Sequence, residues 1–200
     1  MLDTGERPPS IYKLAKKLKI SEGDFYEHYN SFEVLERDIW RQFSRETHQR
    51  LHAEEVYATY SVREKLLAYY YTFVEVLKEQ RSYVLLRLDP ARPQREVLTE
   101  LQDLRDDFRT YARELVREGE ETQEIAQRPY VTDRYPNAFW NQLLFVLRFW
   151  RNDDSRAFEK TDAAIEKAVT LAFDVIGRNS IDSAFDFARF VFQNRRTVAN

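Results

Sequence analysis

The stretch from residue 10 to residue 35 reads SIYKLAKKLKISEGDFYEHYNSFEVL, and it predicts two short helices joined by a tight turn. Ser10 can cap a helix over residues 11–19, because a serine hydroxyl accepts a hydrogen bond from a backbone N–H of the first helical turn. Ser21 can cap a second helix, which we expect to close at Tyr29. Apolar residues at helical spacing give the first helix one face to bury, and they are Ile11, Leu14, Ala15 and Leu18.

Helical patterns continue through the rest of the chain, and no segment favours a strand. Ser31 begins a long helix that reaches about residue 53. Residues 119–136 are polar and predict a loop with short helical pieces, and Asn137 can cap the helix that follows them. We therefore expect an all-α protein in which a small N-terminal domain precedes a larger helical domain. The remaining predicted helices cover residues 62–80, 82–88, 94–118, 138–151, 160–177 and 181–196.

The composition excludes several classes of protein. Of the 200 residues, 43% are hydrophobic and 32% are charged, with only four glycines and six prolines, so the chain is neither collagen-like nor largely disordered. The absence of cysteine removes disulfides, thiol nucleophiles and thiolate metal sites. No apolar run approaches the roughly 20 residues of a spanning helix, and the first residues do not resemble a signal peptide. We therefore expect a cytoplasmic protein.

The sequence offers no constellation of residues for catalysis or metal binding. The four glycines are scattered, so neither a phosphate-binding loop nor a dinucleotide fingerprint can be written. His48 and His52 lie one helical turn apart, but no third ligand is evident, and two surface histidines are the simpler interpretation. We therefore expect no catalytic residue, no metal site and no cofactor.

Basic residues are concentrated near the start of the chain, although the formal net charge is -3. Five of them follow one another with no acidic residue between them, and they are Arg7, Lys13, Lys16, Lys17 and Lys19. Such a run is typical of a solvated helix face, and it also suits contact with a phosphate backbone. The run by itself leaves both interpretations open.

Residues 10–35 resemble the helix-turn-helix of the tetracycline-repressor (TetR) family of regulators. The matching elements are Ile11, Leu14 and Ala15 in the positioning helix, Ile20 and Ser21 at the turn, Gly23, the aromatic run at Phe25, Tyr26, His28 and Tyr29, and then Ser31, Glu33 and Leu35. The resemblance implies a DNA-binding domain over residues 1–50 and a ligand-binding and dimerisation domain over residues 51–200. It also implies a homodimer whose second short helix enters the major groove of double-stranded operator DNA.

The resemblance further implies which residues meet DNA. The expected phosphate contacts are Ser10, Lys13, Lys16 and Ser31, and the residues expected near base edges are Gly23, Asp24, Tyr26 and His28. The chain departs from the family pattern in four respects. The first helix is largely missing, the recognition helix is acidic at Glu22, Asp24 and Glu27, Phe32 replaces a common lysine, and Lys19 replaces the usual glycine of the turn, which can require a left-handed backbone.

The family mechanism implies that a small apolar ligand enters the larger domain and lowers the affinity for the operator. Tyr70, Tyr71, Phe73, Trp140 and Phe149 are the candidates to line its pocket, with plain core packing as the alternative for each. The helix over residues 138–151 has almost no polar face and is expected to be buried on nearly every side. With the alanine-rich helix over residues 160–177, it is expected to meet its copy in a four-helix bundle.

A second hypothesis keeps the fold and changes the function. In it, the protein is a lipid-binding or partner-binding module that no longer binds DNA, as the acidic recognition helix and the missing first helix suggest. The last predicted helix could then lie on a membrane surface through Phe185, Phe187, Phe190 and Phe192. Docking of that helix on the core is the interpretation we favour, so we do not expect a membrane partner.

Overall fold

The computed structural model describes residues 7–177, and regular structure in this part of the chain is helical throughout, which confirms the predicted all-α class. Within these residues no helix is long and apolar enough to cross a membrane. The last predicted helix, over residues 181–196, lies outside the described residues. The α-helices are α1 (Ile11–Leu18), α2 (Glu22–Tyr26), α3 (Phe32–Ala53), α4 (Val62–Glu79), α5 (Arg81–Arg87), α6 (Gln94–Glu100), α7 (Gln102–Glu121), α8 (Tyr135–Asn152) and α9 (Glu159–Ile176), and short 3-10 helices cover Glu55–Thr59, Thr132–Arg134 and Arg156–Phe158.

The contacts within the described residues divide them into two compact units. The first unit contains residues 7–54 and 72–109, and the second contains residues 55–71 and 110–177. Helices α4 and α7 contribute residues to both. The predicted domain boundary at residue 50 stays a prediction. Fully buried side chains of the first unit include Trp40, Phe73, Leu77, Leu104 and Phe108, and those of the second include Leu66, Tyr69, Tyr70, Phe139 and Trp150.

The two short N-terminal helices form where the sequence predicts them, with one correction. The second helix ends at Tyr26, so the expectation that it closes at Tyr29 is wrong. The backbone N–H groups of His28 and Tyr29 both donate to the Phe25 carbonyl, which turns the chain out of the helix. The Tyr29 hydroxyl donates to Asp38 Oδ2 at 2.9 Å and attaches this turn to α3.

The predicted single helix over residues 94–118 is wrong, because α6 and α7 are separate helices. Leu101 lies between them with φ -80° and ψ 4°, well off the ψ of an α-helix, and its side chain is buried. The second of the two helices continues to Glu121, past the predicted stop at Gly119. Gly119 therefore lies inside the helix. A glycine is required there because an added Cβ would lie 2.7 Å from the side chain of Ile125.

The start of α8 also differs from the prediction. The helix begins at Tyr135, so Asn137 is an exposed residue of its first turn and not its cap. Pro136 suits this position because the first turn of a helix has no intrahelical partner for a backbone N–H. The polar stretch that precedes α8 contains one short 3-10 helix, as expected.

A buried aspartate, Asp153, closes the connection between α8 and α9. Its Oδ1 accepts hydrogen bonds from the backbone N–H of Ser155 at 2.8 Å and from the Ser155 hydroxyl at 2.6 Å. Its Oδ2 accepts from the backbone N–H of Thr161 at 2.8 Å and from the Thr161 hydroxyl at 2.6 Å. Burial opposes ionisation of Asp153, but these hydrogen bonds outweigh it and hold the pKa of the carboxyl well below its ordinary value.

The substitution Asp153→Asn is expected to lower the free energy of unfolding at neutral pH by about 1 to 3 kcal/mol, since the amide nitrogen would then face one backbone N–H donor and one hydroxyl that had donated to the carboxylate. Because the folded-state pKa of Asp153 is lowered, its contribution is present above the unfolded pKa of about 4 and is lost as the pH falls below it. Urea unfolding at several pH values should therefore show the two proteins converging in acid.

The neighbouring Asp154→Asn is the matched control, because Asp154 is exposed and pairs with Lys160 at the surface. It should leave the unfolding midpoint unchanged. An equal loss in both variants, or a loss that does not depend on pH, would contradict this role for Asp153.

Candidate nucleic-acid interface

Helix α1 turns one apolar face inward and presents its lysines to solvent. Ala15 is buried, whereas Lys13 and Lys16 are exposed. Within residues 7–177 neither of these two ammonium groups has an ion pair with a carboxylate. The Ser10 hydroxyl accepts a hydrogen bond from the Lys13 backbone N–H at 3.2 Å, which confirms Ser10 as the cap of this helix. Helix α1 thus exposes one cation in its first turn, Lys13, and one in its last turn, Lys16, and both ammonium groups suit a phosphate.

Lys19 ends α1 in the left-handed backbone conformation, with φ 60° and ψ 37°. The Lys19 N–H donates to the Lys16 carbonyl, and the Ile20 N–H donates to the Ala15 carbonyl at 3.0 Å. These bonds close the helix and turn the chain towards α2. A residue with a Cβ holds this conformation at a cost of about 1 to 2 kcal/mol, which is why a glycine suits the position.

Helix α2 begins with a capping box formed by Ser21 and Asp24. The Ser21 N–H donates to Asp24 Oδ2 at 2.8 Å, and the Asp24 N–H donates to the Ser21 hydroxyl at 3.0 Å. Hydrogen bonding of the Asp24 carboxyl to the backbone N–H and the side chain of Ser21 lowers its pKa. One of the three acidic residues of the recognition helix is therefore used to start that helix. Sequence reasoning placed Asp24 near base edges and did not find this role.

The aromatic residues of α2 divide between the core and the surface. Phe25 is buried, with its ring 5.7 Å from that of Tyr26, 5.8 Å from that of Tyr29 and 6.2 Å from that of Phe32. Tyr26 is 51% exposed. Gly23, Asp24 and His28 are exposed as well, so the four residues predicted to lie near base edges are all open to solvent.

Ser31, the remaining predicted phosphate contact, is half-buried and caps α3. Its hydroxyl accepts a hydrogen bond from the Val34 N–H at 3.3 Å. Ser10 and Ser31 are therefore both N-caps, and the hydroxyl hydrogen of each can still donate to a phosphate oxygen. The structure gives these two serines a local role as helix caps, and their contact with phosphate stays a prediction.

The candidates for ligand binding occupy different environments. Tyr70 is fully buried, and its hydroxyl donates to the Phe139 carbonyl and to Gln142 Oε1, each at 3.0 Å. Burial raises the pKa of Tyr70 well above its ordinary value. Tyr71 is half-buried, and burial with the nearby carboxylate of Glu166 raises its pKa to about 12.

Phe73 and Trp140 are buried, and Phe149 is half-buried. Of the five predicted ligand residues, Phe149 lines an open groove between α8 and α9. The structure therefore places Phe149 in a cavity, and it surrounds Tyr70 with the partners of a packed core residue. The role of all five in ligand binding stays a prediction.

An apolar groove lies between α8 and α9 in the second unit. It has a volume of about 870 Å³, and its lining includes Phe139 and several alanines of α9. Phe145 is 48% exposed, Leu171 is 64% exposed and Val175 is 44% exposed. The expectation that the first of these helices is buried on nearly every side is therefore wrong within a single chain, because one face of it opens to solvent.

The two histidines of α3 stack on each other, with ring centroids 6.2 Å apart. Burial lowers the pKa of His48. Among residues 7–177 there is no group of three or more histidine, cysteine, aspartate or glutamate side chains that could hold a metal ion.

The fold and the exposed α1–α2 surface define a class, that of all-α proteins with an N-terminal helix-turn-helix. A family model described as "Tetracyclin repressor-like, C-terminal domain" matches residues 65–191. The chain therefore belongs to the tetracycline-repressor-like family. The matched residues lie outside residues 10–35, so two separate parts of the chain indicate the same family. Neither the curated proteins nor the solved structures include a significant match.

The backbone at Lys19 generates a stability prediction. Lys19→Gly is expected to have a free energy of unfolding about 1 kcal/mol higher than Lys19→Ala, because glycine adopts the left-handed conformation without a steric cost. Both variants lose the same charge, so chemical denaturation of the pair isolates the backbone effect. Equal stabilities, or a more stable alanine variant, would contradict the strain assigned to this turn.

Proposed function

We propose that the protein is a transcriptional regulator of the TetR type, a cytoplasmic repressor that binds operator DNA as a homodimer and is released by a small apolar ligand. The observation that carries this proposal is that α1 and α2 expose Lys13, Lys16 and Tyr26 to solvent in a chain of this family. We assign the protein no catalytic residue and no cofactor.

The proposed DNA contacts divide by chemistry. Lys13 and Lys16 supply charge to phosphates, and the capping serines Ser10 and Ser31 supply hydroxyl donors at helix N-termini. Tyr26 is long and exposed enough to reach the DNA backbone, whereas His28 and Asp24 are polar groups that could read base edges. Asp24 Oδ1 can accept from the amino group of a cytosine, because the capping box uses Oδ2.

Gly23 supports the proposal in a different way. A Cβ added to Gly23 would meet only the Ser21 hydroxyl, at an ordinary contact distance of 3.4 Å. Packing within the chain therefore does not require a glycine at this exposed position of α2. A residue without a side chain is useful where a helix backbone must approach another molecule closely, and DNA in its major groove is such a molecule.

The apolar groove supports the proposed homodimer. Phe145, Leu171 and Val175 expose apolar surface along one face of α8 and α9, and such surfaces are typical of protein interfaces. Alanines on α9 allow a second helix to approach closely. A second copy related by two-fold symmetry would cover both faces at once and form the proposed four-helix bundle.

A second candidate function is a lipid-binding or partner-binding module that has lost DNA binding. The exposed carboxylates of Glu22 and Glu27 favour it, because they would face a polyanion without the local use that Asp24 has. Salt separates the two functions. DNA affinity should fall steeply as the salt concentration rises, whereas binding of an apolar ligand should hardly respond.

The direct experiment is a fluorescence-anisotropy titration with duplex DNA from upstream of the protein's own gene, at low and at physiological salt. We expect sequence-specific, salt-sensitive binding that Tyr26→Ala weakens and that Tyr130→Ala, at a highly exposed tyrosine of the second unit, leaves unchanged. Absence of binding by an intact dimer at either salt concentration would contradict the regulator and favour the second candidate.

Gly23→Ala should separate stability from DNA binding. Alanine is the better residue inside a helix, so the free energy of unfolding should stay the same or rise by up to about 1 kcal/mol. The affinity for operator DNA should nevertheless fall by about tenfold or more, as a methyl group intrudes at the interface. Denaturant unfolding and anisotropy on the same preparation measure both quantities. Unchanged affinity would mean that this face of α2 does not approach DNA.

Leu171→Glu should weaken the homodimer by about a hundredfold or more, because a carboxylate would be desolvated in the interface. Leu98→Glu is the matched control, since Leu98 is 39% exposed on α6 and lies outside the groove. Analytical ultracentrifugation measures the dissociation constant. A monomeric wild-type chain, or equal effects of the two substitutions, would contradict the proposed interface.

A further inference from the structure

Five charged residues of the first unit form a chain that alternates in sign, and three of them are buried. Glu36 is 3% exposed, Arg87 is 6% exposed and Glu100 is 7% exposed. The two ends of the chain are the less buried Arg7 and Arg92. We call this set the ion chain, and its order is Arg7, Glu36, Arg87, Glu100 and Arg92.

The contacts of the ion chain are short and mostly paired. Arg7 Nε donates to Glu36 Oε1 at 3.1 Å, and Arg7 Nη2 donates to Glu36 Oε2 at 2.5 Å. Arg87 Nη2 lies 2.8 Å from Glu36 Oε2. Arg87 also donates to Glu100 through two of its nitrogens, with Nε 3.0 Å from Glu100 Oε2 and Nη2 bound to Oε1.

Arg92 completes the ion chain at its other end. It binds the Glu100 carboxylate through Nη1, which lies 3.2 Å from Oε2, and through Nη2, which binds Oε1. Nη1 also donates to the backbone carbonyl of Arg87 at 2.7 Å. Each buried carboxylate of the ion chain is thus held by two guanidinium groups.

The ion chain connects elements that are far apart in sequence. Arg7 precedes the cap of α1, Glu36 is on α3, Arg87 is the last residue of α5, and Glu100 is the last residue of α6. Arg7 is fixed further by the carboxylate of Glu33 and by the ring of Phe32, whose centroid is 5.5 Å from the guanidinium carbon. The start of the helix-turn-helix is therefore tied to α5 and α6 by ionic contacts.

The energetics of buried ion pairs indicate what the ion chain does. Desolvation of the charges offsets most of their attraction, so apolar residues of similar size would stabilise the fold about as well. Removal of one member, in contrast, leaves a buried charge without its partner. The arrangement therefore fixes one geometry strongly without adding much stability.

We infer that Glu36, Arg87 and Glu100 are positioning residues for DNA binding, through which α5 and α6 fix the orientation of Arg7 and so of α1 and α2. This inference rests on the proposed function. A shift of Glu100 draws Arg87 with it, and Arg87 shares the Glu36 carboxylate with Arg7. The DNA-binding helices thereby respond to residues that never touch DNA.

A double-mutant cycle with Arg7→Gln and Glu100→Gln tests the inference. No hydrogen bond or ion pair joins these two described residues directly, because Glu36 and Arg87 lie between them. Each single substitution should weaken DNA binding by about tenfold, and the double substitution should weaken it by about tenfold as well. Independent sites would instead give about a hundredfold loss.

Arg50→Gln combined with Glu100→Gln is the control cycle. Arg50 lies on α3, as Glu36 does, but it does not belong to the ion chain. It pairs instead with Glu46 at 2.5 Å and with Glu79 at 2.6 Å. Its effect should simply multiply with that of Glu100→Gln. If Glu100→Gln fails to fold, Arg92→Gln takes its place in both cycles, because Arg92 is the more exposed partner.

Amide hydrogen exchange of the same variants without DNA provides the second readout. Exchange should accelerate in residues 10–31 and not across the whole chain, and the effects of Arg7→Gln and Glu100→Gln should again be non-additive. Additive effects in both readouts, or acceleration throughout the chain, would overturn the inference. If the wild-type chain binds no DNA, the proposed function fails, and the exchange cycle alone decides on the ion chain.

Discussion

The carboxylate of Glu36 is the interaction on which the arrangement of the first unit depends. It is buried on α3, and a buried carboxylate is tolerated only when cations and hydrogen-bond donors surround it. Arg7 supplies one cation from the segment before α1, and Arg87 supplies another from the end of α5. Loss of either guanidinium would leave the buried carboxylate of Glu36 without one of its two cations, which costs free energy. Glu36 therefore anchors the segment that precedes α1 to α3 and to the end of α5.

The second unit differs, because it leaves apolar surface exposed to solvent. Phe145 and Leu171 keep about half or more of their surface in solvent, along a groove that α8 and α9 form together. The buried carboxylate of Asp153 in the same unit, in contrast, accepts four hydrogen bonds from nearby residues of the chain. The unit thus satisfies this buried carboxylate internally, while it leaves apolar surface exposed along the groove. This difference is why we propose that a second copy, and not a further internal contact, covers the groove.

Much of the fold could be predicted from the sequence, because helix starts depend on neighbouring residues. Ser10, Ser21 and Ser31 each cap a helix within three residues of themselves, and each was identified from the sequence. The break at Leu101 and the role of Glu36 were missed. Both depend on packing and charge partners distant along the chain, which periodicity does not encode. The same holds for the candidate site, whose exposed residues could be predicted, whereas the capping role of Asp24 emerged only from its geometry.

Helix α2 and its C-cap carry three acidic residues, Glu22, Asp24 and Glu27, and the capping box accounts for one of these carboxylates. We propose that a dimer of this chain reads a specific duplex through α2. Selection of bound duplexes from a random DNA pool by the wild-type protein measures this specificity. We expect enrichment of a palindrome with two half-sites about one helical turn apart. Failure of the intact dimer to enrich any sequence, under low salt as well as physiological salt, would contradict it.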